Sequence, residues 1–445
     1  MDTPPRPGGW GISAFLGLAL LAAYLANGRE VGSDDCEPTA MLQQAIVRGD
    51  GLVLDRFRPV YEFEGRRLPP FLIRSGGHDR SLYTPGPALL ASPIGAAYRA
   101  VRGLRGPLGD SPADDYREAI AAAKFSAAMI AALVGVVLDR ILRRLGLGIA
   151  IRVASVLTAG LGSGLWSIAG LSLWQHGPAA LMLSVTMALL LPPVLPRWRL
   201  VAAGASAGAL VVCRQIDLVF ALAALGFVAA KHPRGLAWFL PLPALMGAAL
   251  VAYNISTFGS ILGGQARLEA MHPALHGVAG PWSGDLVSGA LGTLLSPNRG
   301  LFVFTPWIVP ALALVPAFRG RLKAWPVLIW MLGGLAADLL ILSKYAVWWA
   351  GHCFGPRYWT DAIPLFAILL AFGLDWCRLK CRPMLVPFAA TIAWAVGVQL
   401  IGAVFYPSDW NLTPSNVDTH HERLWDWRDT ELGRCLKASR LVRGR

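Results

Sequence analysis

Apolar residues fill one stretch of this chain after another, and polar residues collect in the gaps between them. The stretches are 10–27, 119–138, 149–171, 178–195, 199–214, 216–230, 236–254, 301–318, 325–343, 358–376 and 384–404. Each is near the ~20 residues a helix needs to cross ~30 Å of hydrocarbon. The pattern predicts an all-α, polytopic integral membrane helix bundle of about 11 spans, with 199–214 and 216–230 as a tight helical hairpin.

The gaps alternate in charge. Arg140, Arg143, Arg144, Arg152, Arg197, Arg199, Lys231, Arg234, Arg319, Arg321, Lys323, Arg378, Lys380 and Arg382 fall in every second gap, 14 in all. The opposite gaps hold 5: Arg214, Arg267, Arg299, Lys344 and Arg357. Basic residues are retained on the cytoplasmic side during insertion, so the N-terminus is expected inside and the C-terminus outside. One more apolar stretch, Tyr83 to Val101, is excluded from the spans because counting it would invert every later gap. Its Pro85, Pro87 and Pro93 also disfavour a regular spanning helix, since each lacks an amide donor and crowds the preceding turn. It is expected to lie along or dip into the outer surface, inside a large outer loop at 28–118 that contains surface-lying helices. Residues 1–404 then form the membrane domain and 405–445 a short outer tail.

Composition agrees with this class: 55% of residues are hydrophobic, 15% charged, and the mean hydropathy is +0.50. The gaps hold no water-soluble catalytic domain. The net charge of +13 sits largely in the cytoplasmic knots, facing anionic headgroups, so membrane lipid is an expected partner and nucleic acid is not. The first span reads as an uncleaved anchor, although charge counting does not separate it from a cleaved signal peptide. Cys377 and Cys381 lack metal-site spacing. Cys36, Cys353 and Cys435 fall on the outer side, which leaves a disulfide among them open.

Chemistry concentrates on the outer side. Ser33, Asp34, Asp35, Cys36, Glu37 and Pro38 put three acids just beyond the first span, as a catalytic base, as metal ligands, or as the cap and first turn of a helix through Thr39 to Val47. Arg56, Arg58, Arg66, Arg67, Arg74, His78 and Arg80 approach Tyr83, an arrangement suited to a lipid phosphate or to headgroup docking. His176, the Arg214 to Asp217 tip, Arg299, Lys344 and Arg357 interrupt apolar surroundings. Arg357 begins a span and needs an anion there, either Asp361 at i+4 or a bound phosphate. Lys124, near the outer end of the second span, is expected to snorkel.

In order along the chain, SDDCEP at 33–38, LVLDRF at 52–57, SLYTPGPALLASP at 81–93, LWQHGP at 173–178, SPNRGLFVFTP at 296–306 and WWAGHCFGPRYW at 348–359 resemble the bacterial type C (GT-C) glycosyltransferases. These are membrane enzymes that use polyprenyl-phosphate-linked sugars. The resemblance implies a glycosyltransferase in the plasma membrane with its active site on the extracytoplasmic side. It implies Asp35, with Asp34 in reserve, as general base on a glycan, lipid or protein acceptor. It implies Arg357, then Arg299 and Lys344, at the donor phosphate, with His176 and Tyr83 at the substrate. No cofactor is required by these residues, and a divalent metal is left open. Where family members commonly carry a large soluble C-terminal domain, this chain has only residues 405–445. A transporter or lipid flippase and an inert envelope-assembly scaffold are the competing classes. A transporter would carry inverted repeats and paired interrupted helices, and the sequence has neither.

Overall fold

The computed structural model describes residues 9–30, 33–62, 69, 71–104, 109, 111–264, 267 and 280–442. Among the described residues it is a helical bundle with one two-stranded hairpin, Leu72–Ser75 paired antiparallel with His78–Ser81. Among the described residues four helical runs are long and apolar enough to cross a bilayer: Pro112–Arg144, Pro241–Phe258, Pro326–Lys344 and Arg382–Phe405. Shorter apolar helices are Trp10–Leu25, Ile149–Leu161, His176–Leu190 and Leu286–Leu295.

The Pro112–Arg144 helix has 33 residues, or about 50 Å at 1.5 Å per residue, so it outruns the expected span at both ends. Ser111 caps it by accepting from the Asp114 amide at 3.1 Å. Asp114 and Asp115 in the first turn and Arg143 and Arg144 in the last match the helix dipole. It packs against the Trp10–Leu25, Glu37–Arg48, Gly86–Gly103, Ile149–Leu161 and His176–Leu190 helices. Leu16, Leu20, Val134, Leu138, Leu183 and Met187 are among the buried side chains of the main core.

Several elements depart from the sequence expectation. The stretch 83–101 forms a helix, Gly86–Gly103, in keeping with the helices expected in the outer loop, but more regular than its prolines suggested. Pro85 is the cap and Pro87 lies in the first turn, where amides have no intrahelical acceptor, so only Pro93 removes a ladder bond. The eighth expected span is broken into Leu301–Phe304, Ile308–Ala313 and Val315–Lys323. Pro306, Pro310 and Pro316 fall at those interruptions and starts. Leu286–Leu295 is a helix that the pattern had assigned to a loop, capped by Asp285 accepting from the Ser288 amide at 2.8 Å. Lys124 does not snorkel. It is buried and donates to the carbonyls of Tyr24 and Gly170, each at 2.9 Å.

Residues 405–442 are folded and packed, not a loose tail. Trp410 and Leu424 are fully buried, and Trp410 donates to the Asp429 carbonyl at 2.8 Å. Ser296 donates to Leu424 O at 2.6 Å and Asn298 to Arg423 O at 2.9 Å. All six cysteines are free thiols, so no disulfide joins Cys36, Cys353 and Cys435.

Contacts sort the basic knots from the other gaps. Arg143 donates to Gly9 O at 3.3 Å, Arg144 to Ala188 O at 2.9 Å, and Arg321 pairs with Asp375 at 2.6 Å. Those residues gather at one end of the bundle. Residues of 33–38, 83, 174–176, 214–217 and 345–361 gather elsewhere, around the charges described next.

Candidate active site

Residues 33–36 form a turn in which the amides of Cys36 and Glu37 both donate to Ser33 O at 2.9 Å. The Glu37–Arg48 helix follows, with Pro38 in its first turn and Met41, Leu42 and Ala45 buried. Cys36 is the cap residue and no side chain caps this end, so Ser33 and Asp34 do not serve as the expected cap. The turn instead presents Asp35 sideways. Cys36 packs with Ile168 and Trp174, and accepts from the Ser172 hydroxyl at 3.2 Å, which fixes the turn on the bundle.

Tyr83 reaches the same point from the end of the hairpin, and its hydroxyl donates to Asp35 Oδ1. Its backbone is held where Thr84 donates to Val212 O. Gly86 lies so close to that strand of backbone that a Cβ would fall 2.3 Å from Val212 O. Glycine is required here for the approach.

Arg357 comes from a 3-10 turn, Arg357–Trp359, ahead of the Ile363–Lys380 helix. Its Nη1 donates to Asp35 Oδ2 and its Nη2 to Ala350 O at 3.0 Å. Ala350 adopts φ 64° and Gly351 φ 65°, a left-handed pair that turns the loop so that this carbonyl faces the guanidinium. A non-glycine residue there costs roughly 1–2 kcal/mol, which the surrounding packing must hold. The guanidinium carbon lies 4.7 Å from the Trp174 ring centroid and 5.7 Å from that of Tyr358. Arg357 Nε is buried and has no hydrogen-bond partner. The Arg357 side chain is 9% exposed while that of Asp35 is 31% exposed, so the carboxylate keeps a face open to an incoming group.

Burial alone would raise the Asp35 carboxyl, but the Arg357 guanidinium and the Tyr83 hydroxyl outweigh it and hold it below the usual carboxylate range. Burial and the adjacent Asp35 charge push the Tyr83 phenol well above its ordinary value, keeping it a neutral donor.

A second layer lies behind. His176 Nδ1 is 2.6 Å from Asp361 Oδ1, Arg214 donates to Asp361 Oδ2, and Arg214 is 3.4 Å from Asp217. Tyr358 separates the layers, its ring 6.4 Å from that of His176 and 5.4 Å from the Arg214 guanidinium. Asp361 therefore pairs with Arg214 and His176, not with Arg357 as its i+4 spacing suggested.

The other sequence candidates are not part of the pair. Asp34 is exposed within the same turn, and its charge acts on Tyr83. Arg299 is buried, and its donors are taken by Glu431 at 2.8 Å, Asn411 at 2.7 Å and the carbonyls of Trp349, Asn298 and Gly351. It braces the loop that carries Arg357 and has no donor left for a phosphate. Lys344 is exposed at the end of its helix, near Asp285. Arg58 and Arg74 pair with Asp79, His78 with Asp55, and Arg56 with Asp115. Four of the basic residues approaching Tyr83 are thus held in internal ion pairs, Arg80 donates to Leu52 O at 3.4 Å, and Arg66 and Arg67 lie outside the described residues. Among the described residues no three His, Cys, Asp or Glu side chains are grouped to hold a metal ion. Asp35 is paired with Tyr83 and Arg357 in this structure, one through each carboxylate oxygen.

Trp174 and Arg214 are contributors to which sequence reasoning assigned no role at the site, Arg214 being noted only as part of a polar hairpin tip and Trp174 only within the 173–178 segment. The available signal was their position at the same end of neighbouring apolar stretches.

No protein-family description matches the sequence, and no curated protein matches it. Solved structures do resemble it. ArnT from Cupriavidus metallidurans, crystallised bound to undecaprenyl phosphate, superposes with a TM-score of 0.47 and 15% identity over 88% of this chain and 69% of that one. An oligosaccharyltransferase from Archaeoglobus fulgidus, in complex with zinc and sulfate, gives 0.47 and 12% identity over 93% of this chain. The chain spans 57% of that protein's length.

Proposed function

We propose that this protein is a plasma-membrane glycosyltransferase of about 11 spans, N-terminus inside, moving a sugar from a polyprenyl-phosphate donor to an envelope acceptor at the outer face. The observation that carries this reading is the joining of a partly open carboxylate, Asp35, to a guanidinium, Arg357, that has an unpartnered buried donor. The residues at 33–38, 81–93 and 348–359 are those in which the chain resembles the type C glycosyltransferases.

In this reaction Asp35 takes the proton of the acceptor hydroxyl as that oxygen attacks the anomeric carbon from the face opposite the phosphate. The bond from the anomeric carbon to the phosphate oxygen breaks, and its electron pair leaves with the polyprenyl phosphate. Configuration inverts. Negative charge grows on the departing phosphate, and Arg357, dehydrated between two aromatic rings, offsets it best at the transition state. A general base contributes typically 10²–10⁴-fold and a preorganised charge partner a similar factor.

The test is deletion of the gene in its native host, followed by mass spectrometry of polyprenyl-phosphate sugars. One species is expected to accumulate, and complementation by the wild-type chain, not by an Asp35→Asn chain present at equal level, to clear it. An unchanged lipid-linked sugar pool would remove the support for this function.

A further inference from the structure

Asp35 and Arg357 neutralise each other in the structure. A carboxylate held by a guanidinium is a poor base, and a guanidinium held by a carboxylate is a poor phosphate ligand. The two roles assigned above therefore cannot be filled while the pair is intact.

Each partner has a second holder. Arg357 is anchored through Nη2 to Ala350 O and lies against Trp174 and Tyr358, so its plane is set by contacts other than Asp35. Asp35 is held by the Tyr83 hydroxyl on its other oxygen. Arg357 Nε, buried with no partner, is a donor that the carboxylate does not satisfy. Nη1, the donor that the carboxylate holds, is the one an incoming phosphate takes from it, since both anions compete for the single positive charge of Arg357.

We propose that the donor's phosphate displaces Asp35 from Arg357, so that donor binding is the event that frees the base, with Tyr83 as the positioning residue that retains Asp35 through the exchange. This rests on the glycosyltransferase reading. It gives an order: donor first, acceptor second. Before the donor arrives, Asp35 is silenced toward water and acceptor alike. Once phosphate neutralises Arg357, the influence that depressed the carboxyl is lifted and Asp35 gains proton affinity beside the acceptor hydroxyl.

The exchange has a distinctive sign. Removing the base should tighten donor-lipid binding, because the phosphate no longer competes with a carboxylate. The experiment is equilibrium binding of a polyprenyl phosphate to the full chain in lipid nanodiscs. The unphosphorylated polyprenol serves as control, and inorganic phosphate as competitor. Asp35→Asn is expected to bind the polyprenyl phosphate about tenfold more tightly than wild type, the order expected for releasing one partly buried ion pair. Tyr83→Phe, which leaves Asp35 dependent on Arg357, is expected to bind severalfold more weakly, and Arg357→Ala to lose the preference over polyprenol. Competition by inorganic phosphate assigns the effect to the phosphate group, and its failure to compete assigns it to the lipid tail and overturns the exchange. Equal or weaker binding by Asp35→Asn, with Arg357→Ala still defective, overturns the exchange alone. A wild-type chain that binds polyprenol and polyprenyl phosphate equally overturns the glycosyltransferase reading with it.

Discussion

Arg299 and Glu431, 132 residues apart, form an ion pair at 2.8 Å with both side chains buried. The same glutamate oxygen accepts from the Gly355 amide at 3.1 Å, and Arg299 donates to Trp349 O and Gly351 O. The folded C-terminal segment is thereby tied to the 348–357 loop, two residues from Arg357. Losing one partner leaves an unpaired buried charge, typically 3–5 kcal/mol. Arg299→Ala is expected to destabilise the protein by about that amount and to expose residues 405–442 to limited proteolysis. A melt and digestion pattern like wild type would contradict this.

Glu431 also sets a pH dependence. Burial pushes its carboxyl up from 4.5 to about 7, and Arg299 and the Gly355 amide offset this only in part. Its folded state retains a proton that the unfolded chain releases, so stability falls as pH rises from about 4.5 to about 7 and levels above that. Glu431→Gln is expected to flatten this slope. Thermal melts at pH 5 and pH 8 check it, and equal slopes in both proteins would refute it.

Gly86 is the contact that lets the Tyr83 segment lie on the Arg197–Cys213 helix, with a Cβ position 2.3 Å from Val212 O. Gly86→Ala is expected to cost about 1–3 kcal/mol and to shift Tyr83 away from Asp35. A melting temperature equal to wild type would show that the backbones can separate freely.

Sidedness is testable by labelling. Asp50 and Lys231 are both exposed, one in the expected outer loop and one in a basic knot. On a background lacking the half-buried Cys381, Asp50→Cys should react with a membrane-impermeant maleimide in intact cells. Lys231→Cys should react only after permeabilisation. The reverse pattern would invert the topology.

Much of the helical layout was legible because lipid demands long apolar runs. Expected stretches such as 216–230 and 325–343 lie close to Leu218–Lys231 and Pro326–Lys344. Hydropathy missed what backbone donors decide: the prolines that split 301–318 and those that Gly86–Gly103 tolerates at its start. It also missed Leu286–Leu295, ten residues long and too short to register as a span. The tail was opaque because Leu424, Arg423 and Glu431 have no period to read and find their partners more than a hundred positions away in Ser296, Asn298 and Arg299. At the site, residue types pointed to Asp35, Tyr83 and Arg357, which the structure brings together. Pairings were less readable: local spacing favoured Arg357 with Asp361, whereas the fold gives Asp361 to Arg214 and His176.

The most direct measurement is sugar release from a polyprenyl-phosphate-linked donor in membranes holding equal amounts of folded wild-type and Asp35→Asn protein. The proposed mechanism predicts a fall of about 100-fold or more in the variant, the factor a general base supplies. Turnover undiminished by the change would contradict the assignment of Asp35 as the base.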